Sequence, residues 1–292
     1  MYNNNFGDLP EEYSSERNSA IVILPVPYDE TSTWMKGADK GPEAIIEASA
    51  HMELYDIETG SEVYLNGIYT APPVTVNETP DKMVKAVEQE VKKYLGKGKF
   101  PVVVGGEHSV SIGSMKAFAG HIENLSILQL DAHADLRPYN KGSEFNHGCV
   151  IARAKECCPV VQAGIRSMDV SETKYYEREN MFFAHEIAGN TSWMEKAAGQ
   201  LTENVYITID LDVFDTSVMP STGTPEPGGL SWYDVVRFLE IVARAKNVVG
   251  FDVVELCPNN NNKSPDFLAA KLIYRLLSMK YISENKTASV LR

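Results

Sequence analysis

Apolar positions along the chain follow two rhythms. Short, mostly apolar runs rich in Val and Ile occupy residues 20–24, 63–69, 101–104, 126–130, 160–164, 181–184, 205–211 and 248–254. They lack the strict alternation of a half-exposed strand, which fits strands buried on both faces of a parallel sheet. Between them the spacing turns helical. Thr79-Pro80 places an N-cap before a proline at the first helical position, and an amphipathic run then continues to Leu95 and stops at Gly96. Ser231, with Asp234 three residues on, has the form of a capping box leading into residues 235–245. Ser264-Pro265 opens a last long helix predicted to end near residue 277. Strands alternating with helices predict βαβ units and an α/β fold, with a mostly parallel sheet of eight strands and helices on both faces.

Residues 1–18 stand outside this patterning and read as a polar N-terminal arm; they lack the apolar core of a secretory signal. No Pro/Gly/Ser-rich linker and no internal repeat divides the rest, so one domain over residues 1–292 is expected. No apolar run approaches the length of a membrane span. The four cysteines form no Cys-x-x-Cys pair, which fits free thiols in a reducing compartment, and a cytoplasmic location is expected. The formal net charge of −13 argues against nucleic acid or an anionic membrane as partner and is compatible with a cationic small molecule.

Three short runs carry the chemistry. They are Gly105-Gly106-Glu107-His108, Asp131-Ala132-His133-Ala134-Asp135 and Asp210-Leu211-Asp212, and each follows an apolar strand. In open α/β sheets ligands sit beyond the carboxyl ends of the strands. Residues two apart on an extended segment point to the same side, so Asp131, His133 and Asp135 share a face, and so do Asp210 and Asp212. A lone Asp-x-Asp is ordinarily a solvated turn or a helix cap, and Gly-Gly-Glu-His alone is a weak signal. Three such runs, each at a strand end, point to one crevice holding four aspartate carboxylates and two imidazoles. Buried together and unpaired, four carboxylates are costly, and two divalent cations remove the cost. Oxygen donors with some imidazole suit Mn²⁺ and its hard relatives.

With these runs in place the chain resembles the ureohydrolases, the family of arginase and agmatinase. The likeness extends over residues 25–258 and rests on Gly-Gly-Glu-His-Ser, Asp-Ala-His-Ala-Asp-Leu-Arg, Asn-His-Gly, Gly-Ile-Arg-Ser, Asp-Leu-Asp-Val-Phe-Asp, Thr-Gly-Thr-Pro-Glu and Asp-Val-Val-Glu. Within the family it is most similar to agmatinases, through Asp-Leu-Arg after the metal motif, His147 twelve residues beyond Asp135, and Gly-Thr-Pro-Glu-x-Gly-Gly-Leu-Ser. The resemblance implies a three-layer αβα sandwich and two Mn²⁺ ions per subunit. One ion would be held by His108, Asp131, Asp135 and Asp210, the other by Asp131, His133, Asp210 and Asp212. It implies hydrolysis of agmatine to putrescine and urea by an activated water. N1-aminopropylagmatine, guanidinobutyrate and arginine are the alternative guanidines. A metal-dependent deacetylase on the same scaffold is the alternative of a different class.

The same resemblance assigns Glu255 to the guanidinium, with Thr224 as its support, and His147 to proton transfer. Asp169 corresponds to the position that holds a distal amine in arginases, and a helix N-cap before Ser171-Glu172 is its other reading. Trp34 and Met35 read as packing residues. A homo-oligomer, trimer or hexamer, is implied. Two departures bear on recognition of the distal end of the substrate: Asp215-Thr216 stands where agmatinases often have Asp-Pro, and Cys257-Pro258 with four asparagines replaces a segment with Tyr-Asp.

Overall fold

The apolar runs form strands because both of their faces are covered. In the computed structural model, which describes residues 4–76 and 78–290, β1 is Ile21–Val26, β2 Ile68–Thr70, β3 Phe100–Gly105 and β4 Leu125–Leu130. β5 is Val160–Ile165, β6 Met181–Phe183, β7 Asn204–Asp210 and β8 Asn247–Val254. All eight lie in one sheet of order β2-β1-β3-β8-β7-β4-β5-β6, and every pairing is parallel. Alternate residues serve opposite faces. Ile21, Ile23, Val102, Val104, Ile207 and Ile209 pack with helices Gly41–Ser49, Trp232–Ala245 and Ser264–Val290. Val22, Leu24, Val103, Ile127 and Tyr206 pack with helices Pro80–Leu95, Val110–Ala119 and Val150–Ala154 on the other side. This is the expected three-layer αβα sandwich.

The helix signals read from the sequence hold. Pro80–Leu95 starts after Thr79, with Pro80 at its first position, and ends at Gly96. Ser231 and Asp234 form the reciprocal capping box at the start of Trp232–Ala245. Three expectations are corrected. Residues 63–66 are a 3₁₀ turn rather than strand, and β2 begins only at Ile68. Gly67 separates them with φ 74°, and a Cβ there would lie 2.5 Å from Ser19 Cα, so the chain turns tightly at that point. The last helix continues past residue 277 to Val290. The N-terminal stretch is not purely polar: Phe6 and Leu9 are buried in the core, and the Phe6 N–H donates to Thr70 Oγ1 at 2.9 Å. Residues 1–3 of that stretch lie outside the described residues.

Register decides where the chemistry collects. Val104 pairs with Val253, Asp210 with Val254 and Leu130 with Ile209, so β3, β8, β7 and β4 end level with one another. These four strands are neighbours in the sheet. The chain leaving each of them carries one of the runs singled out above, or Glu255. Among the described residues, no helix is long and apolar enough to cross a membrane.

Candidate metal centre

The backbone at the strand ends is unusually tight. A Cβ on Gly106 would lie 2.0 Å from the Tyr28 carbonyl oxygen, so only glycine lets β3 end against that loop. The Gly106 carbonyl then accepts the Glu255 N–H at 2.8 Å, which joins the ends of β3 and β8. Asp135 (φ 51°) and Glu255 (φ 68°) sit in the left-handed region, which non-glycine residues enter mainly where surrounding structure holds them. Both are site residues anticipated from the sequence.

Two clusters meet at Asp131. His108 Nδ1 lies 3.1 Å from Asp131 Oδ2, 3.1 Å from Asp135 Oδ2 and 3.4 Å from Asp210 Oδ2. His133 Nδ1 lies 2.9 Å from Asp212 Oδ2 and 3.6 Å from Asp131 Oδ1. Candidate ligand atoms of His108, Asp131 and Asp135 fall within 4.8 Å of one another, and so do those of Asp131, His133 and Asp212. Asp210 stands beside the first cluster, its Oδ1 accepting the Asp212 N–H at 2.9 Å. The six residues named from the sequence are therefore brought together.

Hydrogen bonds aim these groups. His108 Nε2 meets Thr208 Oγ1 at 2.9 Å, and that hydroxyl donates to Asp252 Oδ1 at 2.6 Å. Tyr206 OH holds the other oxygen of Asp252 at 2.7 Å. With Nε2 committed, Nδ1 is the nitrogen that faces the carboxylates. It is fully buried and, despite the short distances, has no hydrogen-bond partner. Gln129 Nε2 donates to Asp131 Oδ2 at 2.7 Å, and the Ala132 N–H to Asp212 Oδ1 at 3.0 Å. Arg166 donates to the carbonyls of Gly164, Asp212 and Glu226 at 3.1, 2.6 and 2.8 Å, which pins the backbone of the Asp-x-Asp run.

The electrostatics are those of an unbalanced anionic pocket. Burial, then Asp212 and Asp131, pushes the Asp210 carboxyl well above the usual carboxylate range. Burial and Asp131 push Asp135 up to about 6. Burial, then Glu107, pushes Glu255 up to about 8. Burial alone would lower the two histidines, yet contacts with Asp131 and Asp135 hold His108 well above its ordinary value, and Asp212 and Asp131 do so for His133. These five groups lean toward binding a positive charge, whereas at Asp131 burial is outweighed by the neighbouring imidazoles, which hold it below the usual carboxylate range. An orphaned imidazole nitrogen among buried carboxylate oxygens has the donor set and the charge deficit that divalent cations fit.

The cluster forms one wall of a cavity of about 310 Å³, which Glu255, Thr224, His147, Asp169 and Arg137 also line. Glu255 Oε1 accepts the His108 N–H at 2.6 Å, so this carboxylate hangs on the backbone of a residue of the first cluster. Asp169 lines the cavity and also serves as an N-cap, its carboxylate accepting Ser171 N–H and Oγ–H at 2.9 and 2.6 Å. The N-cap reading of that residue is the one observed, and its place in the cavity lining is a matter of position alone. His147 is held through Thr31 Oγ1, 3.0 Å from its Nδ1. Trp34, expected to pack, is instead 69% exposed beside a small cleft that Glu255 and Thr224 share. In the loop at Asp215 the carboxylate accepts from the N–H groups of Ser217, Gly228 and Gly229.

Sequence reasoning missed Thr31, Thr208, Asp252 and Arg166. For Asp252 a signal existed, since a charged residue inside an apolar strand has to be paired. Thr31 lies in a loop with nothing to mark it.

Comparison with known proteins follows the same lines. The family model described as Arginase family matches residues 19–278. The chain is 38% identical over 287 residues to an N(1)-aminopropylagmatine ureohydrolase of Synechocystis sp., covering 94% of each. It is 32% identical over 266 residues to an agmatinase of Pyrococcus horikoshii, covering 90% of this chain and 93% of that one. The crystal structure of the agmatine ureohydrolase of Thermoplasma volcanium matches with a TM-score of 0.88 at 25% identity, over 98% of this chain and 97% of the other.

Proposed function

The chain belongs to the arginase family, and on that footing we propose that it hydrolyses the guanidinium group of N1-aminopropylagmatine, releasing urea and the free amine. The observation that carries this reading is the pair of ligand clusters sharing Asp131 in a cavity that also holds Glu255. Sequence motifs ranked agmatine first. Relatives named for the aminopropyl-extended guanidine reach 38% identity against 32% for the agmatinase, and they support the longer substrate better. Agmatine is the second reading, favoured by the fold match to an agmatine ureohydrolase.

His108, Asp131, Asp135 and Asp210 would hold one manganese ion, and Asp131, His133, Asp210 and Asp212 the other. When bound, such a pair supplies a water acidic enough to act as nucleophile at neutral pH. Glu255 offers a carboxylate to a planar cation, the natural two-pronged partner of a guanidinium. Its hydrogen bond from the His108 N–H ties the substrate's position to the backbone of the metal site. Burial, then the positive charge at His108 and His133, pushes His147 down to about 4, and metal cations in that place act in the same direction. The imidazole therefore rests neutral near pH 7. It takes up a proton as the reaction proceeds and passes it to the leaving amine, rather than storing one beforehand.

The test is urea release across N1-aminopropylagmatine, agmatine, guanidinobutyrate and arginine, with an acetyl-lysine peptide as control. The manganese-loaded protein is expected to favour N1-aminopropylagmatine over agmatine by at least ~10-fold in kcat/KM, and over arginine by at least ~100-fold. Chelation should abolish activity and manganese restore it. A higher kcat/KM for agmatine would replace the first reading by the second. No urea from any guanidine at full metal content, or release of acetate, would sink both.

A further inference from the structure

We infer that Thr31 and Glu107 fix the tautomer of His147, placing the proton on Nδ1 and leaving Nε2 as the lone-pair nitrogen that exchanges protons in the cavity. The inference deepens the ureohydrolase reading and rests on it for the role of His147. Both residues are positioning residues. Glu107 stands inside the Gly-Gly-Glu-His run, yet it turns away from the ligand clusters and belongs to neither of them.

Hydrogen-bond inventory decides the tautomer. A threonine hydroxyl has one proton and two lone pairs, and a carboxylate only accepts. Thr31 Oγ1 lies 2.6 Å from Glu107 Oε1, so its proton goes there. The carboxylate is saturated in the same sense by the Thr31 N–H at 2.5 Å, the Ser32 N–H at 2.8 Å and Ser109 Oγ at 2.5 Å. Glu107 itself is fully buried, which by itself pushes its carboxyl up, but four donors converge on its two oxygens, and that geometry leaves it no acceptor for a proton of its own and makes it the accepting partner. Two lone pairs remain on Thr31 Oγ1. One accepts the backbone N–H of His147 at 3.0 Å, and the other meets His147 Nδ1 at 3.0 Å. A hydroxyl whose proton is already spent can only accept from that nitrogen. The other tautomer would set two lone pairs against each other and leave a hydrogen bond unmade in a buried place.

The protein uses the same construction on His108, with the nitrogens exchanged. There Thr208 donates to Asp252 and takes the Nε2 side, which leaves Nδ1 for the carboxylate cluster. One Thr–carboxylate pair thus presents Nδ1 of a ligand, and another presents Nε2 of a proton carrier. The loop that brings Thr31 is itself tied down, since Asp29 Oδ2 accepts the Gly37 N–H at 2.7 Å and the Ala38 N–H at 3.2 Å.

The test compares Thr31→Val, which keeps the shape and removes the hydroxyl, with Thr31→Ser, which retains it. Two readouts are taken. On metal-free ¹⁵N-histidine-labelled protein at neutral pH, two-bond ¹⁵N–¹H correlation spectra report the tautomer of His147, assigned through His147→Asn. On the manganese-loaded protein, kcat, KM and bound metal are measured with the best guanidine. The wild type should show a protonated Nδ1. Thr31→Val should shift towards the mixed tautomers of free imidazole and lose at least ~10-fold in kcat, below the ~10²–10⁴-fold of a whole acid–base group. KM and metal content should stay within about twofold, and Thr31→Ser should recover most of the loss. A wild-type His147 protonated on Nε2 would overturn the inference. So would a Thr31→Val protein that loses activity only in step with metal while its tautomer is unchanged. Because the spectra need no substrate, failure of the tautomer reading and failure of the ureohydrolase reading are told apart.

Discussion

Asp131 is the residue through which the two clusters communicate, one oxygen toward His108 and the other toward His133. Asp131→Ala is therefore expected to leave at most a trace of either ion, whereas Asp212→Ala, which touches only the His133 side, should retain close to one manganese per chain. Metal analysis of the two purified variants after equal manganese loading decides it, and two ions retained by Asp131→Ala would refute the shared role. At this scale the six candidate ligand positions were readable because each run follows an apolar strand, but the period-two rationale fails in detail: Leu211–Val213 is a 3₁₀ turn and Asp135 has φ 51°. Thr31 was not readable. Its partner His147 lies 116 residues away, and no local pattern encodes a meeting of two loops. Glu107 stands inside a motif that assigned it no role, and its partners Thr31, Ser32 and Ser109 emerge only from the folded chain.

Elements were legible where local chemistry and tertiary burial agree. The capping box at Ser231 and the Thr79-Pro80 start satisfy backbone groups within one turn, so no distant partner is needed to find them. Residues 63–66 misled because Val, Tyr and Leu suit a strand, while Gly67 behind them needs a positive φ that breaks it. The end of β3 shows how strictly an element can be bounded. A Cβ at Gly106 meets a carbonyl that is already engaged, since Tyr28 O accepts the Glu107 N–H at 2.8 Å and cannot step aside cheaply. Gly106→Ala is expected to lower stability by ~1–3 kcal/mol through overpacking. It should also weaken manganese binding, because His108 follows two residues on. Thermal unfolding of the metal-free protein and a manganese titration read the two effects separately. An unchanged midpoint together with unchanged affinity would show that the strand end yields.

The whole molecule is closed by long-range ties that the sequence pattern does not announce. Arg275, on the last helix, donates to Asp56 Oδ1 at 2.5 Å and Glu58 Oε2 at 2.7 Å, with Arg275 and Asp56 both buried. Removing one partner strands the other charge in a dry site. Arg275→Met is expected to cost ~3–5 kcal/mol, read as a lower denaturant midpoint at unchanged slope. A loss under about 1 kcal/mol would mean that Asp56 is solvated instead. The sheet order carries a further consequence, for the time at which the molecule becomes itself. β8 lies between β3 and β7, so the strands encoded before it form two half-sheets with no hydrogen bonds of their own across the gap. A chain emerging from the ribosome can build β2-β1-β3 and β7-β4-β5-β6, but the seam stays open until residues 247–254 arrive. Glu255 is the next residue to appear. The carboxylate proposed for the guanidinium is thus delivered by the same segment that zips the halves together, and a nascent chain stopped short of it has no complete pocket in which to act.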